Sequence, residues 1–134
     1  MRPALLFAGV IAAAALLAMP AAAKQGVRAK LDAPVRLDSA PGKKIHVVWR
    51  LVDEDGRPFG ASGIYLRVSR CGRRPLKLPA SERKLGSYSV RVKMPKRGIR
   101  KLLVGLKGWR IIGGRKQRAD AFFQFDPPLY RRCS

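Results

Sequence analysis

The stretch Lys44-Ile45-His46-Val47-Val48-Trp49-Arg50-Leu51-Val52-Asp53-Glu54-Asp55-Gly56-Arg57-Pro58 decides the fold class. Ile45, Val47, Trp49 and Leu51 fall on one side of an alternation, with His46, Val48 and Arg50 on the other. The period is two, so the segment is a strand with one face against a core. Asp53 to Pro58 then supplies turn residues, with Asp55-Gly56 as a favoured pair for a tight turn. A second alternation follows at once, placing Ile64, Leu66 and Val68 opposite Tyr65, Arg67 and Ser69.

The same pattern recurs downstream. Tyr88, Val90, Val92 and Met94 alternate with Ser89, Arg91 and Lys93; Leu102, Val104 and Leu106 form a further inward set; Ala121, Phe123 and Phe125 mark a last strand before Pro127-Pro128. Val27 to Leu31 and Leu76 to Leu78 are weaker strands, for a total of about seven. The segment from Lys24 to Lys43, with Pro34, Pro41 and Gly42, reads as one edge strand plus a loop. Ile99 to Leu106 also fits a helical stripe, but Gly105 and Gly108 each cost a helix about 1 kcal/mol relative to Ala. About seven short strands with turns every ten residues or so predict an all-β fold, a single antiparallel β-sandwich.

The first 23 residues stand apart. Met1-Arg2-Pro3 is a short basic start, Ala4 to Met19 is a weakly apolar run, and Ala21-Ala22-Ala23 offers small residues to a signal peptidase. The expectation is a signal peptide, 1–23, cut between Ala23 and Lys24. Sixteen residues, seven of them Ala, fall short of the roughly 20 needed to span a bilayer. One domain, 24–134, remains, soluble and secreted or periplasmic.

Two strings carry a resemblance. Leu51-Val52-Asp53-Glu54-Asp55-Gly56-Arg57-Pro58-Phe59 with the strand Ile64 to Val68 resembles the strand-turn-strand of small immunoglobulin-like domains in exported bacterial proteins. Gly86-Ser87-Tyr88-Ser89-Val90-Arg91-Val92, followed by Pro95, Gly98 and the strand through Val104, is similar to their second half. The resemblance implies an immunoglobulin-like β-sandwich and an exported setting. Some such domains resemble copper-resistance chaperones, whose His and Met ligands lie near the mature start; this chain has neither there, so no ligand carries over.

Chemistry-bearing residues are sparse. Asp53, Glu54 and Asp55 lack the twelve-residue pattern of a Ca²⁺ loop and serve the turn. They and Glu82 define no glycosidase pair. His46, the only histidine, sits on the outward face; one His is too few for an open zinc site, and no Gly-x-Ser-x-Gly string supports a triad. Gly105, Gly108, Gly113 and Gly114 have the wrong spacing for a phosphate loop. Neither an enzyme nor a cofactor is expected. Trp49 reads as a core anchor, whereas Trp109, Phe122 and Tyr130 lie near basic residues or turns and belong to the core, its rim or a stacking surface.

Charge is the strongest functional signal. The chain has 29 Lys and Arg against 8 Asp and Glu. Only Arg2 lies in the first 23 residues, leaving 28 against 8, a net +20. That excess exceeds what solubility requires and favours a polyanionic partner. Arg also outnumbers Lys 18 to 11, as compositional bias alone could produce. The candidate binding groups are Arg70, Arg73, Arg74 and Lys77, and, on the opposite set of loops, Lys96, Arg97, Arg100 and Lys101. Candidate partners are an anionic envelope polymer or polysaccharide, an anionic membrane surface or, without sequence preference, extracellular DNA. The alternative is a metal-handling, copper-type periplasmic chaperone using His46. Cys71 and Cys133, an even pair in an exported chain, are expected to form a disulfide that holds the tail.

Overall fold

A computed structural model describes residues 26–133; the expected signal peptide and the Ala23/Lys24 junction lie outside the described residues. Ten strands occur in the order β1 (Arg28–Leu31), β2 (Lys44–Val52), β3 (Ile64–Arg70), β4 (Leu76–Pro79), β5 (Ser81–Lys84), β6 (Ser87–Lys93), β7 (Ile99–Leu106), β8 (Trp109–Ile112), β9 (Arg115–Arg118) and β10 (Ala121–Tyr130). No helix occurs among the described residues, and Ile99–Leu106 is a strand.

Eight strands form one sheet in the order β4-β3-β7-β10-β1-β2-β6-β5. All neighbours are antiparallel except β1 and β10, which pair in parallel through Ala29↔Phe125 and Lys30↔Asp126. The sheet is nearly closed on itself. Its outermost strands, β4 and β5, are separated in sequence by Ala80 alone, so the chain steps directly from one edge to the other.

The inward sets read from the sequence meet in the middle. Val47, Trp49, Leu51, Leu66, Val68, Val92, Leu102 and Val104 are all essentially inaccessible to solvent. Trp49 is the hub: its ring stacks on Tyr88 at 6.0 Å between centroids and takes the edge of Phe125 at 5.7 Å. Each such aromatic buries a large apolar area and gains roughly 1 kcal/mol per well-oriented ring pair beyond it. The Asp53–Asp55 segment is a turn: Gly56 N donates to Asp53 O at 3.0 Å, Gly56 has φ of +78°, and Asp53 Oδ1 accepts from the amides of Asp55 and Arg57.

Two expectations need correction. β1 is not an edge strand: it lies between β10 and β2, with Val27 and Ala29 buried in the core. Among the described residues the strand count is ten rather than about seven. The three additional strands are β5, whose Ser-Glu-Arg-Lys sequence has no apolar residue, and the pair β8–β9, exposed throughout. Without a buried face neither shows period-two hydrophobicity.

Candidate functional site

The strand directions bring the chain's basic segments to one end. β3 ends at Arg70, β6 ends at Lys93 and β7 begins at Ile99, with Arg70 opposite Ile99. Residues 71–75, residues 94–98 and the tail 131–133 therefore emerge side by side. The Cys71–Cys133 disulfide fastens the tail there, with 5.6 Å between the Cα atoms. Such bonds are more typical of extracellular or periplasmic proteins than of cytosolic ones.

The two basic groups do not lie on opposite loops. Arg70 and Arg73 share a concavity with Lys93, Lys96 and Arg97. Arg73 and Arg74 share a second with Arg67, Arg70 and Arg100, and a third holds Arg100, Lys101, Arg131 and Arg132. Antiparallel pairing of β3 with β7 produces this convergence, since the end of one strand adjoins the start of the other. No carboxylate lines any of the three concavities. Among the described residues, none of Arg70, Arg73, Arg74, Lys96, Arg97, Arg100 and Lys101 has a carboxylate within ion-pairing distance.

Backbone carbonyls hold part of this surface in place. Arg70 donates to Arg74 O through Nε at 3.0 Å and Nη2 at 2.7 Å, bracing the 71–75 loop. Arg131 donates to Ile99 O at 3.0 Å and Arg97 O at 3.2 Å, so the tail grips both β7 and the 94–98 loop. Cys71 N donates to Gly98 O, which joins the two loops directly. The Arg70 and Arg131 guanidiniums are thus fixed, and the loops that carry the other cations are braced, which lowers the backbone ordering entropy lost on binding.

Lys77 stands apart from its group. It lies on β4, opposite Arg67, and its Nζ meets Asp120 at 3.3 Å and the Tyr65 ring at 4.5 Å. Asp120 also accepts from Arg118 Nε at 2.7 Å, from Gly108 N at 3.3 Å and from the Tyr65 hydroxyl. Its hydrogen bond with Arg118, joined by those from Tyr65, Gly108 and Lys77, holds its carboxyl well below the usual carboxylate range, against a smaller opposing effect of burial. Burial first, then the hydrogen bond to Asp120, pushes the Tyr65 hydroxyl up to about 12.

That cluster was not legible as a site. Tyr65, read as outward, is outward but covered: its ring lies against Gly105, where a Cβ would come within 2.2 Å of it, and Phe122 meets it edge-on at 6.4 Å. Trp109, Phe122 and Tyr130 are exposed rather than core. His46 is exposed opposite Arg91 and shares a shallow groove with Arg83. Among the described residues, no three His, Cys, Asp or Glu side chains are placed to hold a metal ion.

The sequence reading also missed the β8–β9 hairpin. Its signal was present: two consecutive glycines between β-forming residues favour a two-residue turn with positive φ at both positions. Gly113 and Gly114 adopt φ of +57° and +78°. No family model matches this chain, and no curated protein matches it.

Proposed function

We propose that the protein is an exported, non-enzymatic binding module of the immunoglobulin-like β-sandwich type that attaches through its cationic end to an anionic polymer of the cell envelope or its surroundings. The sandwich reading is supported by how the strand order divides at the parallel β10–β1 contact. One half runs β5-β6-β2-β1 and the other β4-β3-β7-β10. These correspond to the D-E-B-A and C′-C-F-G orders of immunoglobulin sandwiches, with Trp49 and Phe125 between them. Export is supported by the disulfide and by the leader-like segment before Lys24.

The observation that carries the binding reading is the convergence of two basic groups, about 25 residues apart in sequence, on one carboxylate-free end of the molecule. Seven cations without carboxylate partners on a braced surface create a local field that attracts polyanions and releases their counterions on contact. The test is retention on envelope fractions and defined anionic polymers near physiological salt. An unrelated sandwich domain charged to a similar +20 serves as reference; retention no better than that reference refutes the reading.

A further inference from the structure

The β8–β9 hairpin projects between β7 and β10, at the end of the molecule opposite the cationic loops. It pairs with no other strand, and both of its faces are open to solvent. The register Trp109↔Arg118 and Ile111↔Lys116 places Trp109, Ile111, Lys116 and Arg118 on one face. Lys116 Nζ stands 4.9 Å and the Arg118 guanidinium 5.7 Å from the Trp109 ring centre. Ile112 and Arg115 are paired on the other face. From Trp109 to Arg118 there is no acidic residue.

The apolar exposure is large. Trp109 is 56%, Ile111 76% and Ile112 44% accessible. A small domain keeps such side chains in water at a cost in solubility, which points to a use for them. The hairpin is also held firmly: Asp120 binds both its first connecting amide, at Gly108, and its last residue, Arg118.

We propose that this hairpin seats the protein tip-first on anionic lipid bilayers, with Ile111 on one face and Ile112 on the other entering the headgroup boundary, Trp109 following on the Ile111 face, and the cross-strand cations meeting the lipid phosphates. A bilayer interface accepts this mixture better than the other polyanions do. Trp prefers the interface because its ring is apolar and its N–H polar. Aliphatic side chains gain from the acyl boundary, while Lys and Arg extend from the same face to the phosphates. A soluble polymer would use the cations and leave both isoleucines in water. A protein interface would gather the apolar residues at its centre and exclude Lys from it, whereas here each apolar residue is interleaved with a cation. The inference does not depend on the cationic end.

Trp109 supplies the readout, because Trp49 is already fully buried. Vesicles of phosphatidylcholine with phosphatidylglycerol should shift the tryptophan emission to the blue. Pure phosphatidylcholine vesicles, glycerol phosphate and a single-stranded oligonucleotide should not. Changing Trp109, Ile111 and Ile112 together to Ser should weaken co-sedimentation with the anionic vesicles about tenfold or more, with the melting temperature and oligonucleotide binding unchanged. Ile111→Ser alone, at the most exposed position, keeps the test open if the triple variant folds poorly. Neutralising the cationic end should leave the emission shift in place. The proposal is overturned by an absent shift, by an equal shift with the oligonucleotide, or by unaltered co-sedimentation of the folded Ser variants. An absent shift or unaltered co-sedimentation leaves polymer binding at the other end untouched.

Discussion

Replacing Arg73, Arg74, Lys96 and Arg97 together by Gln removes four of the seven cations of the candidate surface that lack a carboxylate partner. With a single-stranded oligonucleotide as a defined phosphodiester polymer, each neutralised phosphate adds about −0.7 to the slope of log affinity against log salt. Seven contacts give a slope of about −5, so affinity should fall on the order of a thousandfold between about 50 and 200 mM salt. The variant keeps three, for a slope of about −2 and a loss of roughly twentyfold over the same range. Stability should change little, within about 0.5 kcal/mol, since these are exposed loop side chains in a field of like charge. Lys77→Gln is the matched control: its charge is already opposed by Asp120 at 3.3 Å, and the slope should hold near −5. Fluorescence anisotropy across a salt series measures all three proteins. A folded fourfold variant with an unchanged slope, or a Lys77 variant that loses as much as the others, would refute the assignment.

Changing Cys71 and Cys133 to Ser opens a loop of 62 residues' separation and should cost about 4 kcal/mol on the chain-entropy model, read from urea unfolding. Gly105→Ala should destabilise by about 1–3 kcal/mol in the same assay, because its Cβ would run into the Tyr65 ring and the buried ring has little room to retreat. For pH, the depressed Asp120 carboxyl favours the folded state above about pH 4, and that contribution disappears as pH falls below it. Asp120→Asn should therefore flatten the acid limb of a melting-temperature profile. The raised Tyr65 hydroxyl has the opposite sense: its contribution is complete below about pH 10 and is lost as pH rises toward about 12. An ultraviolet titration of Asp120→Ala should find Tyr65 ionising earlier than in the parent, though still late, because burial remains.

What could be read from the sequence follows from where burial is one-sided. Residues 45–51 and 88–94 alternate because one face of each strand meets the Trp49 core, and these became β2 and β6; in β3 the alternation at 64–68 survives although its outer face is also covered, because the covered outer positions, Tyr65 and Ser69, carry polar atoms. Where both faces are covered the alternation blurs: β7 reads Leu-Leu-Val-Gly-Leu from Leu102, since Tyr65 and its neighbours roof its outer side. Where neither is covered it vanishes, as in β5 and the β8–β9 pair. The cationic end was legible residue by residue but not as a place. Arg70 and Lys96 become neighbours only once β3 and β7 pair antiparallel, and local sequence patterns do not specify that pairing. Lys77 shows the converse: its proximity in sequence to Arg74 said nothing of Asp120, which lies 43 positions further along and pairs with it.

The disulfide-fastened tail has a practical corollary for how this molecule is handled. Cys133 ends the described chain within the cationic end, whereas Gly26 begins it at the far end, against Glu54. A purification tag, fluorophore or surface linkage placed after residue 133 would crowd the loops at 71–75 and 94–98 and could mimic a loss of binding. The same addition ahead of residue 26 would hold the molecule by its other end, with those loops facing outward into solution. Immobilised-ligand measurements made in the two orientations should therefore disagree, and the amino-terminal linkage is the one that leaves the basic loops open.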